Sequence, residues 1–252
     1  AMTKKLLDAG ADPNQAVLSQ GETPLMFAAR SGSVDAVRAL LDKGAQIEAT
    51  EKLRGSTALM WAAEQDHADV LKLMLDRGAK ADAKTKIAAP PPARGARPAN
   101  AKGGTPAAKG GAPAAPAPAT AGTPKGGAAV DDDDPDAFAR PPAGGNGGIT
   151  ALILATREAG LESMKVLLDA GAPINQQSAN GNTALIVAAM NGNAATVNYL
   201  LQRGADVNLA NAQGWTPLYL TIKARTMEKG TMPNPKVDQD GLFKAIEFMV
   251  SH

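Results

Sequence analysis

The chain has 252 residues, and its 26 Lys and Arg against 25 Asp and Glu give a formal net charge of +1. This balance excludes a uniformly basic nucleic-acid-binding protein. The chain has no Cys and two His, which excludes disulfides, thiolate nucleophiles, cysteine-based metal centres and multi-histidine metal sites. No apolar stretch approaches the roughly 20 residues that cross a bilayer.

The sequence begins with a partial repeat and continues with five copies of one helix-opening motif. Thr3–Asn14 predicts a second helix and its exit turn. Each copy of the opening motif has Gly, one further residue, Thr, Pro or Ala, and then Leu. The copies begin at Gly21, Gly55, Gly148, Gly181 and Gly214. A second motif, an apolar pair followed by Gly-Ala, lies 19 residues after each of the first four of these glycines.

The two motifs predict short helices joined in pairs. The Thr hydroxyl can accept a hydrogen bond from an unpaired amide at the helix start, and Pro24 and Pro217 are tolerated in the first turn. Val37, Leu40 and Leu41 share one face of a second helix. The glycines after the second helices are suited to left-handed C-caps; they are Gly44, Gly78, Gly171 and Gly204. Helix pairs this short must stack to bury their apolar faces, which predicts a solenoid.

A low-complexity segment separates the second complete repeat from the third. Of the 18 prolines, 12 lie between residues 83 and 147, with almost no large apolar side chain among them. Such a segment buries too little apolar surface to offset its conformational entropy, so we predict a disordered insertion over residues 84–146. Repeats then occupy residues 1–83 and 147–252, and we expect them to stack directly on one another. A shorter insertion is predicted inside the last repeat.

Together the motifs resemble those of the ankyrin repeat family, G-x-TPLH-x-AA for the first helix and LL-x-x-GA-D-x-N after the second. The resemblance implies an all-α solenoid of helix-turn-helix units with short hairpin or loop fingers. One difference recurs, because the family's His is replaced and its hydrogen bond with Thr is missing. The replacing residues are Met26, Met60, Ile153, Ile186 and Tyr219. The insertions also look similar to those of bacterial ankyrin proteins, many of which are exported, but the compartment stays open.

The resemblance implies non-catalytic binding of a protein partner through the concave face, which the fingers and first helices form. The implied contact positions mix acidic, basic, amide and apolar residues rather than forming the basic stripe that nucleic acid requires. They are Gln20, Glu22, Arg30, Arg54, Glu64, Gln65, Arg157, Glu158, Asn180, Asn182, Met190, Gln213, Trp215 and Lys223. We expect a monomer with no membrane contact and no cofactor. Two alternatives stay open: a spacer or tether that uses the insertion, and a regulatory or targeting part of a larger protein with a catalytic domain elsewhere.

Two further motifs suggest chemistry but have simpler interpretations. Asp131–Asp134 and Asp136 could attract calcium, or could dock a partner with Phe138 as the anchor, yet EF-hand spacing is absent and a solvated charge run is the simpler interpretation. Gly144–Gly148 precede a helix without the strand and the Lys-Ser/Thr pair of a phosphate-binding loop, so we interpret them as the end of a linker. We predict no catalytic, cofactor-binding or metal-binding residues.

The histidines and the large aromatic residues complete the candidates. His67 is interpreted as a contact at a helix start, and His252 has no identifiable partner. Phe27 and Trp61 occupy the Leu position of the opening motif, which predicts core residues. Trp215 follows a finger Gly and faces outward in the family geometry, so it is either a binding anchor or a cover for the neighbouring finger.

Overall fold

Short α-helices account for all the regular secondary structure in the computed structural model, which describes residues 2–87, 147–226 and 238–251. The helices are α1 (Met2–Asp8), α2 (Pro24–Arg30), α3 (Val34–Asp42), α4 (Ala58–Glu64), α5 (Ala68–Asp76), α6 (Ala151–Arg157), α7 (Leu161–Asp169), α8 (Ala184–Met190), α9 (Ala194–Gln202), α10 (Pro217–Thr226) and α11 (Gln239–Ser251). In these ranges β pairing is limited to one isolated antiparallel bridge between Thr50 and Thr57. The prediction of an all-α repeat fold is confirmed.

Each first helix begins at the Thr of the opening motif. The Thr hydroxyl accepts a hydrogen bond from the amide three residues later, at 3.2 to 3.4 Å in α2, α4, α6 and α8. This bond pairs one of the amides that a helix start leaves without a partner. The residue that replaces the family's His is buried in the same four helices, whereas Tyr219 of α10 is 36% exposed.

The helices pack in two rows. The first helices α2, α4, α6, α8 and α10 pack successively on one another, and among the second helices α1, α3, α5 and α7 do the same. The C-terminal helix α11 packs on α9 and α10. The Ala pairs of α2, α4 and α8 are buried between the rows, which allows neighbouring helices to approach closely. The chain therefore buries its apolar residues along a stack rather than in one globular core.

The repeats on the two sides of the insertion stack directly. Helix α4 packs on α6 and α5 packs on α7, as α2 packs on α4 and α3 on α5. Residues 84–87 belong to the described structure, whereas residues 88–146, with the acidic run and Phe138, lie outside it. The predicted insertion in the last repeat also falls largely outside the described residues, as does His252.

Candidate functional site

Five fingers precede the first helices: residues 13–23, 47–57, 81–87 with 147–150, 174–183 and 207–216, called fingers 1 to 5. Neighbouring fingers are joined by backbone hydrogen bonds at their tips. The pairs, amide donor first, are Lys52–Gln20, Lys86–Arg54, Ala179–Gly147 and Ala212–Asn180, with N···O distances of 2.7 to 2.9 Å. Because these bonds fix the spacing of the fingers, the fingers and first helices form one continuous surface, called the finger face below.

Finger 3 is closed even though it carries the insertion. The amide of Thr85 donates to the carbonyl of Ile149 at 3.0 Å, and the amide of Gly148 donates back to the carbonyl of Thr85 at 3.1 Å. The Thr85 hydroxyl also accepts a bond from the Ile149 amide at 2.9 Å. Gly147 lies so close to the carbonyl of Lys86 that a Cβ at this position would overlap it. The insertion therefore leaves the finger tip and returns to it at adjacent points.

Finger 2 is organised around a buried carboxylate. Glu51 is only 4% exposed, and its two oxygens accept hydrogen bonds from the amides of Leu53, Arg54 and Ser56. Burial by itself would raise the pKa of Glu51, but the bonds from Ser56, Arg54 and Leu53 outweigh it and hold the pKa below its ordinary value. The negative charge of Glu51 thus fixes the loop that places Leu53 and Arg54 on the finger face.

An apolar pocket of about 320 Å³ lies between fingers 2 and 3 and helices α4 and α6. Its apolar lining consists of Leu53, Met60, Trp61, Ile87, Ile149 and Leu154. Leu53 is 72% exposed and Ile87 is 66% exposed, so the rim of the pocket presents apolar surface to solvent. Three cationic residues, Arg54, Lys86 and Arg157, also line this pocket, against the single carboxylate of Glu64.

An acidic pocket of about 410 Å³ adjoins the apolar one. Its lining contains four carboxylates and two guanidiniums, with Trp61 and Gln65 beside them; the charged residues are Glu22, Glu51, Glu64, Glu158, Arg30 and Arg54. Leu53, Arg54, Trp61 and Glu64 line both pockets. The two pockets together, called the Trp61 groove below, are thus continuous and carry opposite net charge.

The Trp61 ring is held by its neighbours in α2. Its centroid lies 5.7 Å from that of Phe27 with an interplanar angle of 77°, which is an edge-to-face contact. The Arg30 guanidinium lies over the Trp61 ring at 5.7 Å from the centroid. On the finger side, Arg54 and Glu64 form an exposed ion pair at 3.9 Å.

One carboxylate oxygen in the acidic pocket has no protein partner. Glu22 Oε2 is shielded from solvent and makes no hydrogen bond within the described residues. Leaving a buried acceptor unpaired costs roughly 1–3 kcal/mol. A hydrogen-bond donor supplied from outside the described chain would remove that cost.

A second aromatic cluster lies at the C-terminal end of the finger face. The rings of Trp215 and Tyr219 are 6.2 Å apart, and the Lys223 ammonium lies 5.2 Å from the Trp215 centroid and 5.6 Å from that of Tyr219. Trp215 is half-buried and Tyr219 is more exposed. The spacing of four residues within α10 puts Tyr219 and Lys223 on the same side of the helix.

Comparison with protein families accounts for this architecture. A family model described as ankyrin repeats (3 copies) matches residues 1–85 and 152–228, which is more than half of the chain. The chain belongs to the ankyrin repeat family. No curated protein matches the sequence. Ankyrin repeats generally mediate protein–protein interaction and are generally non-catalytic.

Two searches of the described residues give negative results. No helix in these ranges is long and apolar enough to cross a membrane. Nor do the described residues contain a group of three or more His, Cys, Asp or Glu side chains that could hold a metal ion.

The ankyrin structure brings half of the predicted contact residues together. The Trp61 groove is lined by Glu22, Arg30, Arg54, Glu64, Gln65, Arg157 and Glu158. Trp215 and Lys223 are neighbours in the C-terminal cluster. The other predicted residues are distributed along the finger face; Gln20 and Asn180 accept finger-to-finger bonds through their carbonyls, and Asn182 accepts one from Asn211 through its side chain.

Several residues of the groove are not among those predicted from the sequence. Trp61 was predicted in the core, but it is half-buried and lines both pockets. Phe27 is also half-buried. Lys86 and Ile87 were assigned to the insertion, and the role of Glu51 was not anticipated. One signal was present: the unit that starts at Gly21 is 34 residues long rather than 33, which indicates an extra residue in finger 2. His67 lies at the start of α5, and its Nε2 is 3.0 Å from the Arg30 carbonyl.

Proposed function

We propose that this ankyrin protein binds a protein partner through its finger face, with the Trp61 groove as the main contact. The observation that carries the proposal is the convergence of two continuous pockets on one partly exposed Trp. Tryptophan, tyrosine and arginine dominate binding energy at protein interfaces, and a central anchor that fills a pocket is the usual arrangement. The rim residues Leu53 and Ile87 add exposed apolar surface beside that ring.

The proposed contact set keeps all fourteen positions from the sequence and adds the groove residues. Its members are Gln20, Glu22, Arg30, Arg54, Glu64, Gln65, Arg157, Glu158, Asn180, Asn182, Met190, Gln213, Trp215 and Lys223, with Leu53, Trp61, Lys86 and Ile87. A standard interface buries about 800 Å² on each partner, so a partner that covers the groove extends over several fingers. The cluster of Trp215, Tyr219 and Lys223 offers a second aromatic contact at the other end.

Site-specific photo-crosslinking tests the proposal in cells that make the natural partner. A photoreactive amino acid replaces Glu64 in the groove or, as the control, Lys72, which is exposed on the second helix α5. We expect a specific adduct from position 64 and none from position 72. Arg157→Ala combined with Trp215→Ala should abolish capture, and Lys72→Ala should leave it unchanged. Equal adducts from both positions would contradict binding at the finger face.

The insertion provides the main alternative. As a spacer it cannot separate the two sets of repeats, because its ends adjoin at the tip of finger 3 and the repeats stack directly. A tether that holds another molecule remains the competing function. Deleting residues 88–146 distinguishes the two, since that deletion retains Thr85 and Lys86, which close the finger. The tether would be favoured if the deletion variant no longer captures the partner while the double variant Arg157→Ala, Trp215→Ala still does.

A further inference from the structure

We infer that the Trp61 groove selects a partner segment in which an arginine or lysine adjoins a large apolar residue, and this inference rests on the proposed function. The two pockets are contiguous, share four lining residues and differ in charge. In this arrangement the cationic side chain of the partner enters the acidic pocket, and its neighbouring apolar side chain enters the apolar pocket. The groove therefore recognises a pair of side chains of different chemistry.

The acidic pocket is negative because its four carboxylates exceed its two guanidiniums. Of the two guanidiniums, Arg54 pairs with Glu64, and Arg30 lies over the Trp61 ring. Glu22 Oε2 is shielded from solvent and lacks a hydrogen-bond partner within the described chain. A guanidinium or ammonium from a partner supplies both the missing donor and the missing charge.

The protein itself demonstrates the contact that a partner cation would make. Arg30 packs its guanidinium over the Trp61 ring at 5.7 Å in the same pocket. An indole ring attracts cations through its negative face, and nearby carboxylates strengthen the attraction. A partner cation that enters this pocket meets its carboxylates, Glu22 and Glu158 among them, beside a Trp61 ring that Arg30 already covers.

The charges of the two pockets determine which of the two side chains enters which pocket. Leu53, Trp61 and Ile87 provide its apolar surface, and at about 320 Å³ it is at the lower end of the range for ligand pockets. Arg54, Lys86 and Arg157 repel a second cation there. An acidic residue placed in the other pocket faces four carboxylates. Electrostatic repulsion thus disfavours a segment that places its cation in the apolar pocket. It also disfavours a segment that has an acidic residue in place of the cation.

Four synthetic peptides test the selection on the full chain. The reference probe is acetyl-Gly-Ser-Leu-Arg-Ser-Gly-amide, and the others replace Arg by citrulline, Arg by Glu, or Leu by Ala. Binding is followed through the indole N–H resonance of Trp61 in nitrogen-15 correlation spectra. The chain has two tryptophans, so Trp215→Phe assigns the two indole signals. The protein variants are Glu22→Gln with Glu158→Gln and, as the matched control, Glu247→Gln, which is exposed on α11.

We expect the reference peptide to shift the Trp61 signal, and citrulline to weaken binding by about tenfold, as loss of one charge-assisted contact predicts. The double variant should weaken the reference peptide to the same degree, and Glu247→Gln should not. Equal binding of the Arg and Glu peptides would overturn the inference while leaving the finger face as a peptide-binding surface. No shift of the Trp61 signal with any peptide would also overturn the inference. The photo-crosslinking experiment tests the proposed function independently of this result.

Discussion

Oδ1 of Asp66 accepts a hydrogen bond of 2.6 Å from Oγ of Ser163, although 97 residues separate the two in the sequence. Asp66 lies in the turn between α4 and α5 with a left-handed φ of 54°, and Ser163 is fully buried in α7. The bond thus connects the repeat before the insertion with the repeat after it. It is one of the contacts through which the solenoid continues across finger 3.

A double-mutant cycle with Asp66→Ala and Ser163→Ala measures that connection. Removing either side chain should lower the free energy of unfolding by about 1 kcal/mol, because each leaves the other without its partner. The double variant should cost less than the sum of the single variants, and urea unfolding gives the three values. Additive effects would show that the two residues do not interact in solution.

Deleting residues 88–146 should leave a cooperatively folded protein. The ends of the insertion adjoin at Lys86 and Gly147, and Thr85 already closes finger 3 through three hydrogen bonds with Gly148 and Ile149. Shortening a loop from about 70 to 10 residues reduces its closure cost by about 1.7 kcal/mol under the logarithmic rule. Urea unfolding should therefore show one transition at an equal or higher midpoint. Separate transitions for the two sets of repeats would contradict direct stacking.

The repeat architecture was predictable because its signals are local and recur. The Thr caps and the glycines after the second helices fix the helix ends, the Ala pairs allow close packing, and the regular spacing of all three sets the helix register. Gly44, Gly78, Gly171 and Gly204 all have left-handed φ values, between 82° and 91°. The closure of finger 3 was also implied, because one repeat interval plus the insertion accounts for the distance from Gly55 to Gly148.

The groove was less predictable because position in a repeat does not determine exposure. Leu154 and Leu220 occupy the same position of the opening motif as Trp61, and they are 6% and 1% exposed. Phe27, Trp61 and Val187 at that position are only half-buried, so the neighbouring residues rather than the size of the side chain set the exposure. Glu51 was missed for a different reason. Asn211 holds two amides of finger 5 through its side chain, whereas Glu51 at the corresponding place of finger 2 holds three.

Replacing Glu51 by Gln should destabilise the protein by about 1 to 2 kcal/mol at neutral pH, because the charged acceptor of three amides is lost. The pKa of Glu51 is lower in the folded state than its ordinary value of 4.5. Its stabilisation is therefore fully present above pH 4.5 and is lost as the pH falls through the folded pKa.

Urea unfolding at neutral and acidic pH measures the difference in the free energy of unfolding between the parent chain and Glu51→Gln. The difference should shrink as the pH falls below 4.5. Glu247→Gln, which changes an exposed residue of α11, corrects for the general effect of removing one carboxylate. A difference that stays constant down to strongly acidic pH would show that the charge of Glu51 does not hold finger 2.

Gly181→Ala should destabilise the finger stack more than Gly214→Ala does. Both glycines have left-handed φ values, 74° and 79°, so each substitution incurs the same kind of backbone strain, about 1 to 2 kcal/mol. A Cβ on Gly181 would also lie 2.9 Å from the backbone nitrogen of Ala212 and from Cα of Asn211, whereas a Cβ on Gly214 has no described atom within 4 Å.

The difference between the two variants isolates the contact between fingers 4 and 5. Backbone atoms cannot rotate out of the way as a side chain can, so accommodating the Gly181→Ala methyl requires fingers 4 and 5 to separate. That separation strains the hydrogen bond from the Ala212 amide to the Asn180 carbonyl, which is 2.9 Å in the native protein. We expect an additional loss of about 1 kcal/mol or more in urea unfolding, and faster amide exchange at Ala212 in Gly181→Ala alone. Equal losses and equal exchange in both variants would mean that the finger tips are not packed against one another.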